Sequence, residues 1–578
     1  MPLRLSRKSL AVPALLGVLL SMSACSRLNE DNTASNGSTP TPAASGSAGS
    51  GGATSAAAIK DGGSITMTSP SPMVDWNPLS FAGDTTPQRQ MQWPLYPHPF
   101  LTLPDTSVVL NSALLVSAEV TVKDPMTVVY KIQPKAVWSD GTPITVEDFS
   151  YTQSVQDPKK CSGCKAAFTQ GYSDITSIKG EDDGRTVTMV YSKPFAQWRN
   201  LFNYILPAHQ GKKYGDLATA FNEGFGKNTP AVSGGPYVVK DYQEGVSLTL
   251  AKNPKWYGNP AHLDTVITRF IAKQGEQVTA LQNGEVQFVY QNPSLDTLEQ
   301  VKKLPNTTVE QGTTLTYFHM GMKTTGDVMK DPALREAITK ALNFEEIRKR
   351  TVGQYAPDVP LMKSAVYVPG QKIDGQEAYR DNTTALGVGA GDTDGALKIL
   401  SAAGYQVKDG KLYLPSGAPM RDLTFLTLAS DQLRMDIAQI AQQQLKPLGL
   451  TLKIDPADAA RYSTALREGA FDIMATGTAL DLGPLSIQQW YGTGAARSFG
   501  YSNAQVDKLL ADASAELDSA KQVDLMNQID AILLKDGVVM PLFAAPQLAA
   551  FSDKYRNIFI NPSKYGTTMN VKEWGIAS

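Results

Sequence analysis

Histidine and cysteine are scarce in this chain of 578 residues, with four of the first and three of the second. His98, His209, His262 and His319 are scattered and show no metal-ligand spacing, whereas a tetrahedral zinc site needs four ligands brought together. Beyond residue 25 no run of 18 apolar residues occurs, so no membrane-spanning helix is expected. An excess of one charge is lacking too. Lys and Arg number 53 and Asp and Glu 55, for a net charge of −2, which leaves no basic footprint for nucleic acid. There is no G-x-S-x-G elbow, no H-E-x-x-H and no G-x-x-x-x-G-K-[ST]. The run Gly387-Val-Gly-Ala-Gly391 lacks the rest of a nucleotide-loop spacing and a preceding strand, and reads as loop. No internal repeat is visible. Nothing here argues for an enzyme, a cofactor or a metal.

What is present is a chain too long for one core, so two or three domains are expected. A hydrophobic share of 42% and a charged share of 19% fit a soluble globular protein. The N-terminus reads as a targeting segment: Arg4, Arg7 and Lys8 precede an apolar run from Leu10 to Leu20 that is too short to span a bilayer. It ends at Met22-Ser-Ala-Cys25. Small residues before a cysteine resemble a lipoprotein signal, with Met22 where leucine is usual; an ordinary secretory signal is the alternative. On the lipoprotein reading residues 1–24 are a signal peptide and Cys25 carries lipid. Residues 25–58, rich in Ser, Gly, Ala, Thr and Pro, then form a flexible tether with an r.m.s. reach of roughly 30 Å. Cys161 and Cys164 remain as a C-x-x-C pair. That spacing suits a redox centre, half a zinc site or a short disulfide. Outside the cytoplasm the structural disulfide is preferred.

The stretch Val137 to Val155 organises the rest. It follows Thr127 to Gln133, where Val128, Tyr130 and Ile132 alternate with residues of the opposite face, the period of a half-buried strand. Asp140-Gly141 supplies a turn. Thr145, with Asp148 three residues on, predicts a capped helix. This arrangement, strand–W-S-D-G-T-P-I-T–E-D-F, resembles the signature of the extracytoplasmic solute-binding proteins, family 5, of peptide-class ABC importers.

Other stretches resemble the same family in the same order. Asp75-Trp-Asn-Pro-Leu79 resembles its early F-N-P-L segment, and Trp93 to Phe100, WPLYPHPF, stands where relatives have L-Y-E-P-L. Tyr96 and His98 are candidates to line a cleft there, though each also fits a structural role. Gly235-Pro-Tyr237, Asn253-Pro-Lys-Trp-Tyr257 and the helical stretch from Glu276 to Gly284 follow suit. Asp331-Pro332 opens the clearest helix, with an apolar stripe of Leu334, Ala337, Ile338, Ala341 and Leu342. Gly404 reads as a helix stop. Leu433, Ile437, Ile440, Ala441 and Leu445 form another stripe, and Tyr501 to Asp536 reads as two helices before a strand. The segment Asp374 to Asp394 is expected to be an exposed loop. The resemblance runs from about Ile65 to the C-terminus.

The resemblance implies a two-lobed, periplasmic-binding-protein-like α/β fold, type II and cluster C-like, with an extra subdomain in the first lobe. Lobe I is then 59–100, 232–320 and 545–578, the extra subdomain 101–231, and lobe II 321–544. The implied function is capture of a peptide or peptide-like solute between the lobes, by a monomer lipid-anchored at the outer face of the cytoplasmic membrane, for delivery to an ABC permease. Peptide-binding relatives hold the α-amine with a carboxylate in an A-D-x-x-x-P segment after an F-D strand. Here Phe471-Asp472 is followed by Leu480-Asp481-Leu-Gly-Pro484, so Asp481 matches the carboxylate, without the preceding aromatic and with Pro484 one residue early. Trp490, just beyond, is a further candidate ligand contact. The alternative is an envelope lipoprotein of the same fold, with a regulatory or scaffold role in phosphatidylinositol-mannoside or glycolipid assembly.

Overall fold

The opening stretch folds as its pattern dictates. In the computed structural model, which describes residues 59–480, 483–495 and 500–578, the strand Met126–Ile132 buries Val128, Tyr130 and Ile132. It pairs antiparallel with Leu115–Lys123 on one side and Thr186–Tyr191 on the other, and Ile175–Glu181 completes a four-stranded sheet. Gly141 takes the left-handed turn with φ +89°. Thr145 then caps the helix Val146–Gln156. Its hydroxyl accepts from the Glu147 N–H at 3.3 Å, and its own N–H donates to the Asp148 carboxylate at 2.9 Å. Asp148 also accepts from the Ala208 N–H at 2.9 Å and the Trp138 indole at 3.4 Å. One buried carboxylate thus ties three segments together, and burial raises its pKa. We take this unit as the extra subdomain; its core forms around Trp138, Phe149 and Phe202. The signal segment, Cys25 and the tether lie outside the described residues.

Among the described residues ten strands form one sheet that serves both lobes. Its order is Leu452–Ala457, Leu423–Leu428, Ile473–Ala479, Thr307–Met322, Val539–Ser552, Phe288–Gln291, Ser64–Ser69, Thr265–Phe270, Ser247–Lys252 and Tyr237–Gln243. The first three strands lie in lobe II and the last five in lobe I. Thr307–Met322 and Val539–Ser552 belong to both and cross side by side, antiparallel, from Thr307↔Ser552 to Gly321↔Val539. Their register shifts between Thr313 and Tyr317. At that break the Leu315 N–H donates to the Pro562 carbonyl at 2.7 Å, so a lobe I segment grips the crossing strand where its ladder is interrupted.

Lobe II forms where helical stripes meet this sheet. Asp331 caps Pro332–Ala341 by accepting from the Ala333 N–H, with Pro332 at the first helical position. Leu334, Ala337, Ile338 and Ala341 face inward. Gln432–Leu445 buries Ile437, Ile440, Ala441 and Leu445 in the same core. The segment Asp374 to Asp394 is largely exposed, as expected, but it is tied down. It starts inside a short hairpin, Lys372–Ile373 with Gln376–Glu377, and Ala378 is fully buried. Asn382 donates to Asp530 at 2.6 Å and to Asn527 at 3.0 Å. Side-chain hydrogen bonds to a buried acid hold the segment, and a glycine-rich composition does not reveal such partners.

Candidate functional site

Two chambers between the lobes are lined in part by the subdomain. The first, about 430 Å³, lies among the subdomain, the 372–377 hairpin and the Leu315 break. The second, about 370 Å³, lies between the 78–89 segment and the end of the strand Ile473–Ala479. Asn200, Asn203 and Tyr565 line both. The loop that presents the two asparagines is strained: Phe202 sits fully buried between them with φ +59°. A left-handed conformation is costly for a bulky residue, and such strain collects at functional sites. The Tyr172 hydroxyl, which accepts from the Phe202 N–H at 2.8 Å, helps to hold it.

The lobe I wall is aromatic and layered. Tyr204 and Tyr565 face the second chamber, edge-on with centroids 5.9 Å apart. Behind them Trp93 lies 4.1 Å from Tyr565, and His98 stacks on Trp93 at 3.4 Å. The expectation that Tyr96 and His98 line the cleft is corrected here, because both sit one layer behind it. Tyr96 donates to the Trp76 carbonyl at 3.2 Å. The two ring nitrogens of His98 face the carbonyls of Trp93 and Asn203 at 2.8 and 2.5 Å. The reason is composition: WPLYPHPF carries no permanent charge to keep it in water, and residues 93–100 are all buried. Burial lowers the His98 pKa to about 4. Its role in this wall is to hold the Asn203 backbone.

The lobe II wall is a strand end and a helix. Gly477, Thr478 and Ala479 line the second chamber beside Ser486 and Trp490, from the helix Pro484–Tyr491. Trp490 is the sequence candidate that the structure brings into the cleft. His319 lies beneath it, fully buried, with Nε2 2.9 Å from the Thr478 hydroxyl. Burial lowers the His319 pKa to about 3. Asp481 lies outside the described residues, while Leu480 and Gly483 on either side line the first chamber.

Along the strand Ile473–Ala479 one edge is open. Thr316↔Ala479 to Met322↔Ile473 pair it fully with the first crossing strand. On its other side Leu423–Leu428 pairs only at Ile473 and Met474, and among the described residues no strand continues the ladder. The Leu480 N–H points to Leu315, and the Ala475 carbonyl points outward to the Tyr462 hydroxyl at 2.9 Å. Strand alternation therefore sends the N–H and C=O of Gly477 and Ala479 to the open edge, toward the chamber.

The charges are mixed. Lys123, Arg199 and Lys372 line the first chamber with Glu119, Asp374 and Glu516. In the second, Arg89 pairs with Asp84 through Nε at 2.5 Å, near Lys564. Several contacts cross the mouth: Thr106 accepts from the Lys372 N–H at 3.0 Å, Arg199 lies 3.6 Å from Asp374, and Leu485 joins the subdomain core. Cys161 and Cys164 are disulfide-bonded with Cα atoms 5.4 Å apart, in the loop beside the second chamber. Among the described residues no three His, Cys, Asp or Glu side chains group to hold a metal, and no helix is long and apolar enough to cross a membrane.

Two lobes on one shared sheet, closed over an interlobe cavity with polar and aromatic walls, define a two-lobed α/β binding protein. The chain belongs to family 5 of the bacterial extracellular solute-binding proteins, whose middle region matches residues 110–498. Proteins of this family bind solutes and are not enzymes. The oligopeptide-binding protein OppA of Mycobacterium tuberculosis is 29% identical over 522 residues, 87% of this chain and 83% of OppA. The probable monoacyl phosphatidylinositol tetramannoside-binding protein LpqW of the same organism is 25% identical over 406 residues, 65% of this chain and 62% of LpqW. Among solved structures, a periplasmic EDTA-binding protein, EppA, superposes with a TM-score of 0.85 at 31% identity, covering 90% of this chain and 97% of EppA. AppA of Bacillus subtilis, solved with a nonapeptide, superposes at 0.73 with 21% identity, covering 90% of this chain and 100% of AppA. It shares the fold.

Tyr204, Tyr565, Asn203 and Arg89 were not singled out from the sequence. Tyr204 and Tyr565 lie outside regular helices and strands, so no periodicity marks them. They meet only because the C-terminal segment returns to lobe I.

Proposed function

We propose that this protein captures a peptide or peptide-like solute in extended form and delivers it to an ABC permease. The observation that carries this reading is the open edge at Gly477 and Ala479 beside the second chamber. An extended backbone adds there as a strand, with main-chain hydrogen bonds that ignore side-chain identity. Two chambers that share Asn200, Asn203 and Tyr565 in their walls suit an elongated ligand. Among the described residues the three cations and three anions of the first chamber suit a zwitterion. Asp481, which matches the family's amine-binding carboxylate, is assigned the α-amine. Cys25 is assigned the lipid that anchors the chain, as a monomer, at the outer face of the cytoplasmic membrane.

Mass spectrometry of solute released from the natively purified protein tests this reading. A set of peptides is expected; a glycolipid favours the envelope-scaffold alternative, and a metal chelate overturns the peptide assignment. With a peptide in hand, Asp481→Asn is expected to weaken binding about 30-fold or more, as for one partner of a buried charge pair. N-acetylating the peptide should cost as much in the wild type and far less in the variant, because both changes remove one interaction. Simple additivity of the two losses removes Asp481 from the site. Cys25→Ala should free the protein from the membrane fraction; unchanged fractionation and mass refute the anchor.

A further inference from the structure

Phe81 stands on the rim of the second chamber with 72% of its surface in water. Single exposed apolar residues are common and need no explanation. Phe81 differs in how firmly its backbone is held. Its N–H donates to the Lys165 carbonyl at 3.0 Å, the Ala167 N–H donates to the Leu79 carbonyl at 2.9 Å, and Ser80 bridges Ala166. Two loops, one from lobe I and one from the subdomain, are stitched into a single rim.

The subdomain loop is itself held at one point. Lys165 follows Cys164 directly, and Cys164 is bonded to Cys161. The Cys161 N–H donates to the carbonyl of Asp157, which caps the helix Val146–Gln156. Asn222 clamps the far side, accepting from the Lys165 N–H at 3.0 Å and donating to the Gly163 carbonyl at 2.9 Å. The disulfide therefore fixes the loop against a capped helix, and the loop fixes Phe81. Besides Phe81, the chamber is lined by the aromatic rings of Phe168, Tyr204, Trp490 and Tyr565.

We propose that Phe81 is the lip of an aromatic-walled subsite in the second chamber that takes an apolar side chain of the ligand, and that the Cys161–Cys164 disulfide positions this lip. The inference rests on the peptide reading and adds a side-chain preference to it. Main-chain pairing along Gly477 and Ala479 is blind to side chains, so preference has to come from walls such as this one. An apolar side chain entering the subsite covers the exposed ring and is itself covered, and burial of that area supplies the discrimination.

The test uses the full chain, penta-alanine, and the five penta-alanine isomers carrying one phenylalanine. In calorimetry the wild type should prefer one or two isomers over penta-alanine by about tenfold. Phe81→Ala should abolish that preference, and Phe81→Leu should restore most of it. The Cys161→Ser, Cys164→Ser variant should lose the preference likewise, with faster amide exchange confined to 78–83 and 163–168. Equal losses on all peptides, or a preference untouched by Phe81→Ala, overturn the subsite. Unchanged exchange in the double variant overturns the positioning role. If the wild type binds none of the six peptides, the peptide reading fails instead. The ligand-free exchange measurement then decides alone whether the disulfide holds the lip.

Discussion

The Trp490 indole meets the His319 imidazole edge-on, with centroids 5.6 Å apart and planes at 83°. A buried histidine thus backs the one large aromatic that, among the described residues, lobe II contributes to the second chamber. Trp490→Ala should weaken binding of the co-purified solute about 30-fold, the scale of a central aromatic anchor. Trp490→Phe should lose much less. Calorimetry on the two variants checks this; an Ala variant of unchanged affinity removes Trp490 from the site.

The two buried histidines and one buried acid set opposing pH dependences. His98 and His319 are held neutral, at about 4 and about 3, by burial. Between their ordinary 6.5 and those values the unfolded chain binds protons that the folded chain refuses, so stability falls as pH falls. Asp530 works the other way. Burial raises it to about 6, so the folded chain keeps a proton that the unfolded chain releases above its ordinary 3.8. That contribution is lost as pH rises through 6. Near about pH 5 these three groups contribute a net linkage of about one proton, and Asp530→Asn should raise it to about two. Urea unfolding across that range measures the slope; an unaltered slope refutes the assignment.

The cap at Thr145 and Asp148 should separate into a small and a large effect. Thr145→Ala removes one acceptor and should cost about 1 kcal/mol. Asp148→Ala orphans the N–H groups of Thr145 and Ala208 and should cost about 3 kcal/mol. Chemical denaturation of the ligand-free protein compares them. Equal losses contradict the role given to the Asp148 carboxylate.

The Arg199–Asp374 pair closes the mouth of the first chamber and is 42% and 49% exposed. Exposed pairs contribute at most about 1 kcal/mol, so Arg199→Ala should reduce solute affinity by no more than about fivefold. The reduction should vanish in about 0.5 M salt, where the Debye length is a few ångströms. A loss that persists in high salt assigns Arg199 a direct contact with the ligand.

Elements were legible in the sequence where their causes are local. Thr145 with Asp148, and Asp331 with Pro332, cap the helices they announce. The alternation of Val128, Tyr130 and Ile132 finds the buried face. The site was less legible because its residues are assembled at long range. Trp490, named as a candidate just beyond the Asp481 segment, lines the second chamber. Tyr204 and Tyr565 had no such marker, and the path between them runs through both crossing strands. Tyr96 and His98 misled because aromatic rings beside prolines suit a cleft wall and its backing layer equally. The 374–394 segment is exposed as its composition suggested, but its tie to Asp530, far along the chain, was not legible.

The shared sheet also dictates when the protein can fold. Val539–Ser552 lies between Thr307–Met322 and Phe288–Gln291, near the centre of the ladder. It is nearly the last strand to leave the ribosome. Until it arrives lobe I has no bond to lobe II through the sheet, and lobe II lacks a strand beside its first crossing strand. Native assembly of both lobes must therefore wait until almost the whole chain has been made and, for an extracellular protein, has crossed the membrane. A fold whose keystone is synthesised late keeps its chain loose enough for export, at the expense of a long interval in which unpaired strand edges are exposed.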